Sequence, residues 1–365
     1  AFCSSTDAES EQVEGRAFVW NPQQLAEVLD ENERQMFSLF YNVTPQGNFL
    51  EGSSVLTQRR PISRCAKELG WDFELAVRVL ESARDKAFDA REEREQPGRD
   101  DKVIAAWNGQ MVSALCRAAR LTDTPDAREL ALKAGEFLLR TFAQPGEDGT
   151  YPRIWAEEKT YGQALSEDLG ALALAFLDLY ELTLEDKWFE AATTLHGVLK
   201  TEYWDGERKL TAQTSPKTDD LLFRPFPFED NPTPAGNSFM AELCRRLFQL
   251  TGDEESENIL HAILNKVSPI ATKAPTSFGF LLRTGHLHGK GPSHLILGGS
   301  KEEGETFLEA IQGRLLPATA VASASTPGLS SNLAEGKKAG RAYLCHDYQC
   351  KTPVENAQDL EKLLD

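Results

Sequence analysis

A chain of 365 residues with 41% hydrophobic side chains holds enough apolar material for a large core, and it contains no run of about 18 apolar residues that would span a membrane. Its 57 acidic residues outnumber 39 basic ones, and the resulting charge of −18 opposes phosphate backbones and anionic membrane surfaces, which argues against nucleic-acid and membrane partners. Six scattered cysteines form no disulfide framework and suit a reducing, cytoplasmic compartment.

The first residues, Ala1 to Asp7, have neither the basic region nor the apolar stretch of a signal peptide. Pro22 suits a first helical turn, and the pattern after it predicts one helix to Tyr41. A second helical pattern covers 63–94, with an interruption or kink near Gly70.

An internal repeat then dominates. One segment begins Trp107-Asn108-Gly109 and is apolar at helical spacing to Leu121-Thr122. The second begins Glu167-Asp168 and runs to Leu182-Thr183. The third begins Pro234-Ala235-Gly236-Asn237-Ser238 and runs to Leu250-Thr251. Each is followed by a short turn (123–126 after the first) and a second, more amphipathic helix. A helix–turn–helix unit cannot bury its apolar face alone, so the units must stack. Inner helix and outer helix in alternation predict an all-α fold, an α/α barrel over residues 1–293. Extended segments are expected at 149–155 and 209–213, and a long loop at 221–234.

The tail changes character. His294 to Gly299 and Ala318 to Ala324 read as strands, Glu302 to Leu315 as a helix, and Ala342 to Cys345 as a further strand. Residues 325–341 are small, polar and Gly-rich and read as a mobile loop. Residues 294–365 are thus expected to form a small α/β cap.

Inner helices of such a barrel run parallel, so Asn108, Asp168 and Asn237 should gather at one end, where unbonded N–H groups suit hydroxyl-rich or anionic ligands. The plainer reading makes all three N-caps. Asp101, Lys102 and Trp107 just before the first inner helix supply the carboxylate, cation and ring of a sugar site; taken singly, Trp107 reads as core and Asp101-Lys102 as a solvated pair. Glu167 and Asp168 diverge by about 100° on a helix, so only one can point inward. Asp168, Glu167 and Asp101 are the candidate acid or base residues, and Trp107, Asn108, Asn237, Lys102 and Glu14 the candidate ligand contacts. Glu14 reads equally well as surface. Cys345 and Cys350 form the only close cysteine pair: structural thiols, a disulfide, half a zinc site, or a redox pair. His346 is poorly spaced to complete a zinc site, and structural thiols are the simplest reading. No metal and no cofactor is expected.

Six ordered motifs carry a resemblance. They are Val13-Glu14-Gly15-Arg16-Ala17-Phe18-Val19-Trp20, Gly47-Asn48-Phe49, Arg99 to Gly109, Glu167-Asp168, Pro234 to Ser238, and Tyr343-Leu344-Cys345 with Cys350-Lys351-Thr352-Pro353-Val354. Over nearly the whole chain they resemble the spermatogenesis-associated protein 20 family of thioredoxin-domain-containing proteins. The resemblance implies a barrel similar to N-acylglucosamine 2-epimerases and six-hairpin glycosidases, following a thioredoxin-like domain that this chain would lack. Leu169 and Ala235 depart from the family's usual Tyr and Ser. Related epimerases use histidines from barrel helices. Here His196 and His261 fall on outer helices, and His286 and His288 near the far end of another inner one. Carboxylate-based hydrolysis of a sugar is therefore the expected chemistry. A barrel that only binds a sugar, or a protein such as the thioredoxin-like domain, is the alternative.

Overall fold

Side-chain N-caps at Asn21, Asp30, Asp72 and Asp253 start some of the helices, whereas others, such as those beginning after Ile104 and Ala235, start without one. The computed structural model describes all residues except 123, 125, 219, 220, 300 and 365, so the turn expected at 123–126 lies partly outside the described residues. Residues 5–101 form one unit, and residues 1–4 with 102–365 another.

In the first unit, β1 (Ser5–Thr6), β2 (Glu9–Ser10) and β3 (Val13–Glu14) precede α1 (Pro22–Val28) and α2 (Glu31–Tyr41). The single helix expected over 22–41 is two. Asp30 accepts from the Glu33 N–H while Glu33 accepts from the Asp30 N–H, and this reciprocal cap starts a new helix. α3 (Ile62–Leu69) ends at Gly70, whose φ of 70° is left-handed, and α4 (Phe73–Glu92) follows. β4 (Arg99–Asp100) pairs back with β1. Leu25, Phe37 and Ala83 anchor one apolar cluster, and Met36, Cys65 and Leu80 a second.

The larger unit opens with β5 (Val103–Ile104) and α5 (Ala105–Leu121), then α6 (Ala127–Thr141). β6 (Pro152–Ala156) and β7 (Lys159–Gln163) form a hairpin that continues from β5. The extended segment near 149–155 matches expectation, whereas β7 does not. The hairpin turns on Glu157 and Glu158, both at positive φ, without the Gly or Asn that signals such a turn. α7 (Ser166–Thr183), α8 (Asp186–Val198), β8 (Trp204–Asp205), β9 (Leu210–Thr211), α9 (Gly236–Thr251), α10 (Glu254–Ala271) and α11 (Gly279–His288) complete the hairpins.

α5, α7, α9 and α11 make an inner layer, and α6, α8 and α10 back it. The first three run parallel and touch through glycine. A Cβ on Gly109 would lie 2.8 Å from the Ala171 carbonyl, one on Gly170 2.6 Å from Phe239 Cβ, and one on Gly236 2.1 Å from Ser166 Oγ. Nearly every residue of α7 is buried, because helices flank it on both sides. α6 buries Ala127, Ala131, Ala134 and Leu138, one amphipathic stripe.

The tail carries strands where they were expected, in a four-stranded sheet of order β11-β10-β12-β13, and the chain as a whole is helix-rich with small sheets. β10 (Ser293–Gly298), α12 (Lys301–Ala310) and β11 (Thr319–Ser323) form a parallel βαβ unit. The expected helix to Leu315 stops at Ala310. The expected mobile loop carries a short helix, α13 (Ser331–Ala334), pinned by buried Leu333. β12 (Arg341–His346), β13 (Gln349–Cys350) and α14 (Ala357–Leu364) end the chain. The β12–β13 register sets Cys345 opposite Cys350, and a disulfide joins them, which corrects the reading of separate structural thiols.

This tail satisfies carbonyls that the inner helices leave open at their C-terminal ends. Gly313 N–H donates to Arg120 O, Ser330 N–H to Leu250 O, and Tyr180 links its hydroxyl to Thr326 and the Ser323 N–H. Among the described residues no helix is long and apolar enough to cross a membrane.

Candidate functional site

The first turns of the inner helices are built alike. A helical Cα–Cβ bond tilts toward the N-terminus, so a polar first-turn side chain reaches back to the strand or loop that feeds the helix. Asn108 accepts from Phe2 N–H at 2.7 Å and donates to Phe2 O and Ile104 O. Asn237 accepts from Thr211 N–H at 2.7 Å and donates to Thr211 O and Pro227 O. Asp168 accepts from Leu165 N–H at 2.9 Å and from Ala106 N–H at 3.1 Å, the second bond clamping α7 to α5. None of the three is an N-cap; Ile104, Leu165 and Ala235 hold those positions. All three are buried, and Asp168 is 0% exposed. Burial pushes the Asp168 carboxyl up to about 7, against the pull of its backbone bonds and of Arg153, whose Nε lies 3.6 Å away.

A hollow of about 200 Å³ is lined by all four inner helices. On α7 the lining residues are Ala171, Leu174 and Asp178, and on α5 they include Gln110, Ala114 and Arg117. Helical spacing extends the α7 face up one turn to Glu167 and the α5 face to Trp107. Glu167 Oε1 accepts from Gln213 Nε2 at 3.3 Å, and its Oε2 is buried with no partner among the described residues. The hydroxyls of Ser166, Thr211, Thr214 and Ser238, around the same ends of α7 and α9, are likewise buried and unpartnered there. Trp107 is 48% exposed, which corrects its reading as core.

Further down, the hollow continues into a cavity of about 250 Å³ whose floor is residues 314–320. Its wall carries a charge network that the sequence reading missed. Arg246 bridges Asp178 at 2.7 Å and Glu181 at 2.9 Å, and Arg120 stands 3.7 Å from Glu181. Arg245 grips Glu242 with two bonds of 2.9 Å, and Thr284 Oγ1 donates to the same carboxylate. Burial works to raise the Glu242 pKa, but Arg245 outweighs it and holds the carboxyl down to about 2. Arg283 reaches Glu242 at 3.4 Å, and Arg117 makes no ion pair among the described residues. Six arginines, Arg314 of the floor included, thus face three carboxylates in a chain of charge −18. A signal existed: charged residues on helices otherwise buried all round must find partners inside.

Asp101 and Glu14 belong to the 5–101 unit. Asp101 is exposed and pairs with Arg99 at 2.5 Å, and Glu14 is exposed in the β2–β3 hairpin. Lys102 is exposed at the start of the larger unit. Cys345 is buried, and its disulfide partner Cys350 is exposed with Lys337 Nζ 3.3 Å from its sulfur.

No family model matches the sequence. Human spermatogenesis-associated protein 20 is 24% identical over 415 aligned positions, covering 100% of this chain and 52% of the relative. An uncharacterised Caenorhabditis elegans protein is 24% identical over 389, covering 97% of this chain and 52% of its own. The chain spans about half the length of these relatives, and the resemblance carried by the motifs holds from end to end. Among solved structures, an alpha-mannanase of glycoside hydrolase family 76 from Bacteroides thetaiotaomicron has a TM-score of 0.39 at 17% identity, covering 46% of this chain and 45% of that one. A Salegentibacter alpha-1,6-mannanase scores 0.38 at 16%, covering 68% and 70%. A sugar epimerase from a ruminal bacterium scores 0.38 at 13%, covering 57% of each. At these scores the likenesses bear on neither the site nor the reaction.

Proposed function

We propose that the hairpin array is the α/α-barrel framework of a carbohydrate-processing protein, with residues 294–365 as its cap. The ligand enters at the N-terminal ends of the inner helices, and a carboxylate there does acid/base work. The observation that carries this is the concentration of unsatisfied buried polar atoms at the N-terminal ends of α7 and α9, next to a hollow shared by four helices. Buried polar groups are normally paired, so such a concentration marks a place built for more than packing. The opposite end is occupied by the tail sheet and its bonds to the helix carbonyls.

Within the acidic pair the roles divide. Glu167 stands one helical turn before Ala171, which lines the hollow, and its Oε2 has no partner among the described residues, so it is the group assigned to exchange a proton with the ligand. Asp168 is a positioning residue, because both its oxygens hold backbone N–H groups and its bond to Ala106 fixes α7 against α5. Trp107 offers a half-exposed ring for stacking at the mouth. Arg117 and Arg283, deeper in the hollow, favour a sugar carrying a carboxylate or phosphate.

A thermal-shift screen over neutral sugars, uronic acids and sugar phosphates tests the reading, since a ligand of the native state raises the melting temperature by mass action. Acidic sugars are expected to raise it and to be turned over. Glu167→Gln should abolish turnover with the melting temperature nearly unchanged. Binding without turnover would favour a purely binding barrel, and no sugar response at all would defeat the proposal.

A further inference from the structure

Where α10 meets α11, three side chains come together that the carbohydrate site does not use. Glu257 and His261 stand one turn apart on α10, hence on one face. His288 is the last residue of α11. His261 Nε2 and His288 Nε2 lie 2.9 Å apart, and one Glu257 carboxylate oxygen is within 4.8 Å of both. Glu257's carboxylate makes no hydrogen bond or ion pair among the described residues. Two imidazole nitrogens at that distance either share one proton in an N–H···N bond or present two lone pairs to a common cation, whose charge the nearby carboxylate offsets.

We propose that Glu257, His261 and His288 form a zinc site. Two imidazoles and one carboxylate are a familiar zinc donor set, and nitrogen donors suit a transition metal better than Mg²⁺ or Ca²⁺. Zn–N bonds of about 2.0 Å in a tetrahedral arrangement separate two nitrogens by about 3.3 Å, so the imidazoles need to part by only about 0.4 Å. Three protein donors leave a fourth position for water. Beside it lies a cavity of about 240 Å³ lined by His288, Glu257, Arg245, Gln249 and Tyr348, and water or a small anion enters from there. The site ties α10 to α11, the last inner helix. It was hidden in the sequence because His288 lies 27 residues beyond His261 and the pair falls in no ligand motif.

The test uses the full chain treated with chelator and then titrated with Zn²⁺ and, separately, Co²⁺ in a neutral, non-chelating buffer. One Zn²⁺ per chain is expected, together with a rise in melting temperature. Co²⁺ should give tetrahedral d–d absorption without the thiolate charge-transfer band that binding at a free cysteine would produce. His261→Ala, at an exposed position, and His288→Ala should each weaken binding by at least about 100-fold, beyond the loss usual for outer-shell changes. His286→Ala, also exposed, should leave it unchanged. Stoichiometric binding that survives in His261→Ala, a thiolate band, or no binding at about 10⁻⁴ M Zn²⁺ would each overturn the proposal.

Discussion

Glu167 and Asp168 are sequence neighbours with opposite surroundings, and the helix turn between them decides which does what. Asp168 is closed in by backbone donors, and burial sets its folded pKa at about 7, above the roughly 4 of a free carboxyl. The folded chain therefore holds this proton more tightly than the unfolded chain does. The sign follows: stability from this group falls as pH rises from about 4 to about 7 and is level outside that window. Asp168→Asn removes the titration. It also puts an amide N–H against a backbone donor, which costs about 1–3 kcal/mol. Denaturant titrations at several pH values should show the parent losing stability relative to the variant across that window. Curves that stay parallel would show that Asp168 does not titrate there. The same residue illustrates how far a sequence reading goes: the acidic pair at the head of an inner helix was legible, while the inward member of the pair depended on where α5 and α9 lie.

At the scale of elements, the inner helices approach one another through glycine, and their spacing is set there. Gly170 leaves no room for a methyl group, because Phe239 Cβ and Cγ would be 2.6 and 3.4 Å away. Gly197 on α8 has nothing within 4 Å of the position a methyl carbon would take. Both are helical, so alanine's propensity favours both substitutions by about 0.5–1 kcal/mol. Gly197→Ala should gain about that much. Gly170→Ala should instead lose about 1–3 kcal/mol, as the α7–α9 contact is forced open. Urea unfolding of the two variants checks the pair, and a stabilised Gly170→Ala would mean that the helices slide freely. The repeat register of the first turns was legible because period and spacing are properties of the chain. The close glycine contacts were not, since a glycine in a helix looks the same whether it meets a neighbour or solvent.

For the whole molecule, each of the two units buries its own apolar clusters, with Phe37 and Met36 central to residues 5–101 and α7 central to the other. Two cores of that kind need not melt together. Calorimetry is expected to give unfolding broader than two-state, with a calorimetric enthalpy exceeding the van't Hoff value. Equal enthalpies in a single transition would show one cooperative unit instead.

Local chemistry alone determined the helical hairpins, their parallel inner faces and the strands of the tail, because apolar period, caps and turn residues act over a few residues. It also placed Asn108, Asp168 and Asn237 in equivalent first turns. What those side chains bond to was decided by the tertiary structure: Asn108 holds Phe2, 106 residues away, and Asn237 holds Thr211. So were the pairing of Arg246 with Asp178 and Glu181, and the meeting of His261 with His288. The Cys345–Cys350 bond depended on a hairpin whose turn, Asp347-Tyr348, takes positive φ without glycine. In each case the energy depends on a partner brought close by packing and on the burial that keeps water from competing for it. A linear pattern carries neither quantity.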